Sequence, residues 1–360
     1  MIAQRLIDHC MALCAVPSVT GDEAALCDHL EAWARALPLG APVVRHGNSL
    51  VVGAPAADRP TVALVGHIDT VPPATVPMEP PTCDGERLVG LGASDMKGGI
   101  AVMQALYEDL AKGPLGPIAP MLVLYDKEEG PYADNGLEPL LAACPALKEV
   151  DLAIAMEPTD NTLQLGCVGS IQATLRFVGR AAHSARPWQG ENAIHKAGPL
   201  LAQLSRRGVK DVEVAGLVFR EAVNVTLAEG GRARNVIPDA FTLNVNYRFA
   251  PKDNALEAAL ADLGDLAQGS ELTVTDAAPH GPVPTANPLV HHLTALCRLE
   301  VLPKQAWTDV ARLAAHGIDA VNFGPGATAQ AHQRGEWIDV SAMVLSYEHL
   351  SKLFLAPFGG

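Results

Sequence analysis

Three apolar runs in this chain each end in side chains able to bind a metal or move a proton. TVALV at 61–65 leads into GHIDT, which sets His67 and Asp69 two residues apart. Residues two apart on an extended chain point the same way. Asp69 can therefore accept from the second nitrogen of His67, fixing its tautomer and raising its basicity. That role places Asp69 behind the imidazole rather than on a metal. PMLVLY at 120–125 leads into DKEEG. Adjacent Glu128 and Glu129 point in different directions, so one can bind metal while its neighbour handles a proton. LAIAM at 152–156 leads into Glu157 and Pro158, and Asp95 opens a helix within GLGASDMKGG. A carboxylate has two oxygens, so Asp95 could bridge two metals. Each signal alone also has a plainer reading, such as a solvated turn for the Glu pair or a loop cap for Glu157. Together they matter because ligand groups in open α/β sheets collect at the carboxyl ends of strands. Metals about 3.5–4 Å apart activate a bridging water and polarise the carbonyl it attacks. Imidazole and carboxylate donors without thiolate suit zinc, with cobalt and manganese as alternatives.

The elements that must position these groups are legible from periodicity. Helices are expected over 2–14 and 23–37, the second capped by Ser18 or Thr20. A short strand follows at 48–52, and the apolar runs are strands buried on both faces. A Pro-rich loop covers 72–81. Further helices begin near Lys97 and span 137–142. Strands alternating with helices predict an α/β mixed sheet covered by helices on both faces. The middle third differs. Strands at 169–178, 222–228, 241–249 and 271–274 and helices at 192–206 and 255–267 give a βαββαβ order. That order predicts an inserted small α+β unit with an open-faced antiparallel sheet. The expected domains are 1–168 with 282–360 for catalysis and 169–281 for the insert. A helix at 289–298, the strand-like AVNFG and a helix at 339–355 complete the first domain.

Bulk properties narrow the partners. The chain has 360 residues, 49% of them hydrophobic, and a net charge of −14. Such an acidic surface argues against nucleic acid. No run reaches the length a membrane helix needs, and the start reads as a helix rather than a signal peptide. Seven scattered cysteines fit reduced thiols in the cytoplasm.

GHIDTVP, GLGASDMKGGIA, YDKEEG, AMEPT and FGPGATAQAH resemble, in order, the motifs of the co-catalytic zinc amidohydrolases. That family includes aminoacylase, acetylornithine deacetylase, glutamate-releasing carboxypeptidases and succinyl-diaminopimelate desuccinylase. The resemblance implies two zinc ions per subunit. His67 and Glu157 would hold one, Glu129 and His332 the other, and Asp95 both, with Glu128 as general base. It also implies that the insert is a lid and dimerisation domain in a homodimer. RAAHSARPWQGENAI resembles the segment whose histidine, here His183, reaches across the dimer to the oxyanion. RNVIPD and LNVNYRF resemble the segments that bring Asn235 and Arg248 towards substrate.

LGCVGSIQATL, WTDVARLAAHGIDAVNFGPG and AHQRGE look closest to desuccinylases of the branch common in actinobacteria. The implied reaction takes N-succinyl-LL-2,6-diaminopimelate, a small acylated amino acid, to succinate and the free diamino acid. The alternatives are an acetylornithine deacetylase, a dipeptidase, or a noncatalytic binding protein that kept the fold. Many desuccinylases carry two arginines just before the Gly-Ser of this strand, and one binds a substrate carboxylate. Here Cys167 and Val168 stand there, which turns attention to Arg312 and Arg186 as substitute cations.

Overall fold

The computed structural model describes residues 2–37, 41–74, 78–113 and 116–358. Part of the Pro-rich loop at 72–81 lies outside them. Two compact units emerge. One comprises Met1–Gly166, Pro284–Leu302 and Asp309–Gly360, and the other Cys167–Val283 with Pro303–Thr308. The sequence places 303–308 in the first domain, but hydrogen bonds tie this segment to the second unit. Gln305 Nε2 donates to the Val218 carbonyl at 3.0 Å and Trp307 Nε1 to the Pro279 carbonyl at 2.9 Å.

The first unit is built on an eight-stranded sheet in the order Val43–His46, Ser49–Val52, Ala119–Tyr125, Thr61–His67, Leu152–Ala155, Ala320–Asn322, Leu163–Leu165 and Val301–Pro303. From Ala119–Tyr125 to Ala320–Asn322 the neighbours are parallel. Thr61–His67 is buried at every position, which explains its unbroken apolar run, since helices cover both faces of a parallel sheet. Burying each Val or Leu there contributes about 1.5–3 kcal/mol relative to exposure. Because these strands run the same way, their carboxyl ends lie along one edge.

The helix Ala24–Arg35 has Glu23 at its N-cap position, with no side-chain cap. Thr20, four residues before that helix, lies too far back to cap it. Its hydroxyl instead donates to Asp69 Oδ2 at 2.9 Å.

The second unit holds an antiparallel sheet in the order Lys210–Val214, Leu217–Gly230, Ala240–Phe249, Gly169–Val178 and Glu271–Ala278. It has one strand more than the βαββαβ reading. The additional strand, Lys210–Val214, carries charge at three of its five positions and buries only Val212, so it lacks the apolar signal of an interior strand. Ala240–Phe249 alternates strictly, with Phe241, Leu243, Val245, Tyr247 and Phe249 buried against the helices Ala193–Arg207 and Ala255–Leu266. Asn192 caps the first of these helices, accepting from the amides of Ile194 at 2.9 Å and His195 at 3.3 Å. Asn192→Ala should cost about 1 kcal/mol of stability. A urea unfolding midpoint unchanged from wild type would show the cap to be idle.

Candidate metal centre

His67 is the last residue of its strand, and its ring is almost fully buried. Its Nδ1 lies 3.1 Å from the Asp69 main-chain carbonyl and 3.6 Å from Asp69 Oδ1. The carbonyl is thus the nearer acceptor. Donation from Nδ1 leaves Nε2 as the lone-pair nitrogen, the tautomer a metal ligand needs. That Nε2 lies 3.1 Å from Asp95 Oδ1.

The Asp69 carboxylate is fully buried and, besides facing the His67 ring, has a task the sequence did not announce. Oδ1 accepts from the Glu128 amide at 2.9 Å, and Oδ2 from the Glu129 amide at 3.1 Å and the Thr20 hydroxyl. One side chain therefore fixes the turn that presents both glutamates and abuts the imidazole. Burial opposes its charge, but His67 and the two amides win and hold the carboxyl below its usual range. Asp69→Asn would turn an amide donor towards N–H donors. The expected result is a loss of about 10- to 100-fold in metal affinity, measured by titrating the metal-free protein with Co²⁺. Unchanged affinity would remove Asp69 from this role.

Asp95 sits in a tight loop leading into the helix Gly98–Lys112, and its peptide bond to Met96 is cis. Two glycines allow the close packing here. Gly92 has φ 75°, and a Cβ on it would lie 2.6 Å from Thr70 Cγ2; one on Gly99 would lie 2.5 Å from the Met156 carbonyl oxygen. Lys97, read from sequence as the start of a helix, is buried and donates to the Val16 carbonyl at 3.1 Å. On the far side of Asp95, His332 Nε2 lies 3.8 Å from Oδ2 and 2.9 Å from Glu129 Oε1. The two oxygens of Asp95 thus face two different imidazoles. Ligand atoms of His67, Asp95 and Glu129 all fall within 4.8 Å of one another.

Electrostatics describe a site crowded with negative charge. Burial pushes the Glu128 carboxyl well up, against the pull of His67, and the charges of Glu157, Asp309 and Glu129 push it further. Glu129 raises His332, and for His67 the neighbouring carboxylates outweigh a burial that opposes its charge. Glu157, just beyond Leu152–Ala155, is buried. Carboxylates packed this densely away from water are costly unless positive charge offsets them. Two imidazoles and several carboxylates, with no thiolate, make a donor set that fits divalent cations of the zinc type.

The other expected residues have separate surroundings. Arg312 is buried, and its guanidinium donates to Asp309 Oδ1 and Glu138 Oε2, each at 2.9 Å, and to the Tyr132 carbonyl at 2.7 Å. Its charge is thus matched inside the unit by Asp309 and Glu138. In the second unit His183 pairs with Val236, and the Ser184 amide donates to the Asn235 carbonyl at 2.9 Å. This brings His183 and Asn235 onto neighbouring segments joined by an isolated bridge. Arg248 Nε donates to Asn246 Oδ1 at 3.2 Å, and Arg186 is exposed. Cys167 is buried, taking the Gly281 amide at 3.2 Å and meeting the Thr308 carbonyl at 3.6 Å.

Sequence reading missed Glu336 and Asp309. Both are buried carboxylates in loops, where no periodicity flags them. The one available signal was an acidic residue inside AHQRGE and inside TDVAR.

Residues 63–356 match the family description peptidase family M20/M25/M40. The chain is 34% identical over 360 residues to the succinyl-diaminopimelate desuccinylase of Corynebacterium glutamicum, covering 96% of this chain and 95% of the relative. A Mycobacterium tuberculosis protein carrying a provisional desuccinylase name is 38% identical over 343 residues, 95% of each chain. Among solved structures, a tripeptidase from Staphylococcus aureus has a TM-score of 0.78 at 20% identity, covering 98% of this chain and 97% of that one. A metallo-carboxypeptidase from Sulfolobus solfataricus reaches 0.77 at 16% identity, covering 97% and 98%.

Proposed function

Because the chain belongs to peptidase family M20/M25/M40 and is a metal-dependent amidohydrolase or peptidase, we propose that it hydrolyses N-succinyl-LL-2,6-diaminopimelate with two zinc ions. The observation that carries this reading is the placement of Asp95 between His67 and His332, with Glu129 against the second imidazole. Two relatives bearing the desuccinylase name over nearly the whole chain support the substrate. His67 and Glu157 would hold one cation, Glu129 and His332 the other, and Asp95 both.

When bound, the cations supply Lewis acidity towards the amide carbonyl and acidify water. The residues do the rest. Glu128 takes a proton from the attacking water on a carboxylate oxygen as the C–O bond forms. It returns that proton to the amine nitrogen as the C–N bond breaks, leaving succinate and the free diamino acid. Asp69 keeps Glu128 in place through its main-chain amide. We assign His183, supplied by a second copy in a homodimer, to the oxyanion, and Asn235, Arg248 and Arg186 to substrate contacts. The free cysteines suit a cytoplasmic setting.

Peptide hydrolysis is the second reading, favoured by the peptidase names of the solved neighbours. Succinyl-diaminopimelate, acetylornithine and a dipeptide, offered side by side to the zinc-loaded protein, separate the readings. A higher kcat/KM on the dipeptide or on acetylornithine would overturn the desuccinylase assignment.

A further inference from the structure

Glu336 is 4% exposed, and its carboxylate is committed entirely to one loop. Oε1 accepts from the amides of Ser94 and Asp95, each at 2.8 Å, and Oε2 from the Gly92 amide at 2.7 Å. Its main-chain carbonyl accepts from the Gly90 amide at 3.0 Å. The residues that follow, Trp337–Asp339, pair with Arg87–Val89, the strand leading into that loop. Ser94 Oγ donates to the Ala327 carbonyl at 3.0 Å. The 90–95 loop is thus fastened along its length to the segment that carries His332, four residues before Glu336.

We propose that Glu336 is a positioning residue that sets Asp95 against His332, so that both cation positions can share the Asp95 carboxylate. The inference rests on the metal-centre reading. Glutamine has the same length as glutamate but carries a donor on one arm. Whichever arm bears the NH₂ would meet an N–H already pointing at it, leaving at least one buried amide without an acceptor. The loop then loses the contact that orients Asp95. The cation that depends on Oδ2 and His332 suffers most, because that oxygen lies 3.8 Å from the imidazole and must be held there.

The test is calorimetric titration of metal-free wild type and Glu336→Gln with Zn²⁺, alongside amide hydrogen exchange. Wild type should take two equivalents. Glu336→Gln should keep the first and bind the second about 10- to 100-fold more weakly, the usual penalty for losing a group that orients ligands. Exchange at Gly92, Ser94 and Asp95 should quicken in the variant. Identical isotherms, or unchanged exchange at those amides, would overturn the role of Glu336. Wild type taking up no cation would overturn the metal-centre reading itself. Should the variant not fold, the wild-type exchange still decides: amides of Gly92, Ser94 and Asp95 exchanging as fast as in a free peptide would overturn the inference.

Discussion

Glu128→Gln should lower turnover by about a hundred- to ten-thousandfold, the usual worth of a positioned general acid–base, while two cations remain bound. The buried carboxyl next to Glu157, Asp309 and Glu129 holds a proton more tightly than an ordinary glutamate. Glutamine keeps the shape and the Asp69 contact, because that contact is made by the main-chain amide. Steady-state kinetics and metal analysis of the same preparation decide the matter. Parallel loss of metal and activity would make Glu128 a ligand rather than a proton carrier.

Arg312→Ala should cost about 3–5 kcal/mol, the effect of stranding a buried charge. Asp309 is 1% exposed and accepts from Tyr125 and Asn135, each at 2.8 Å, besides Arg312. Arg312 also stacks on Tyr132, its guanidinium 4.0 Å from the ring centre. Tyr125 precedes the Glu128–Glu129 turn, and Tyr132, Asn135 and Glu138 follow it. The pair therefore braces that turn from both sides. The double variant Arg312→Met with Asp309→Asn should recover much of the lost stability, because it removes the stranded carboxylate. Urea unfolding reads both effects. If Arg312→Ala instead left stability intact and raised KM for substrates carrying a second carboxylate, Arg312 would be a substrate anchor after all.

Arg312 also shows where sequence reading reaches its limit. Its positive charge and Asp309 three residues before it were visible, but its other partners lie far away in the chain, at Glu138 and Tyr132, and nothing in TDVAR announces those. The strands were legible because burial on both faces demands unbroken apolar runs, as at Thr61–His67. The chemistry at their ends was legible for the same reason, since the first polar residue after such a run must sit at the sheet edge. Asp69 was half legible. Its spacing from His67 placed it behind the imidazole, but its bonds to the Glu128 and Glu129 amides depend on a neighbouring strand. His332 has no strand to announce it. It lies in an irregular segment with φ 61°, and only the family motif pointed to it.

The strict alternation along Ala240–Phe249 separates two kinds of change. Phe241, Leu243, Val245, Tyr247 and Phe249 are locked into the core of their unit, and large-to-small replacements there cost several kcal/mol. Thr242, Asn244, Asn246 and Arg248 point the other way and carry none of that packing. One face of a single strand can therefore drift in preference across generations, or be varied in a designed library, while the other keeps the unit folded.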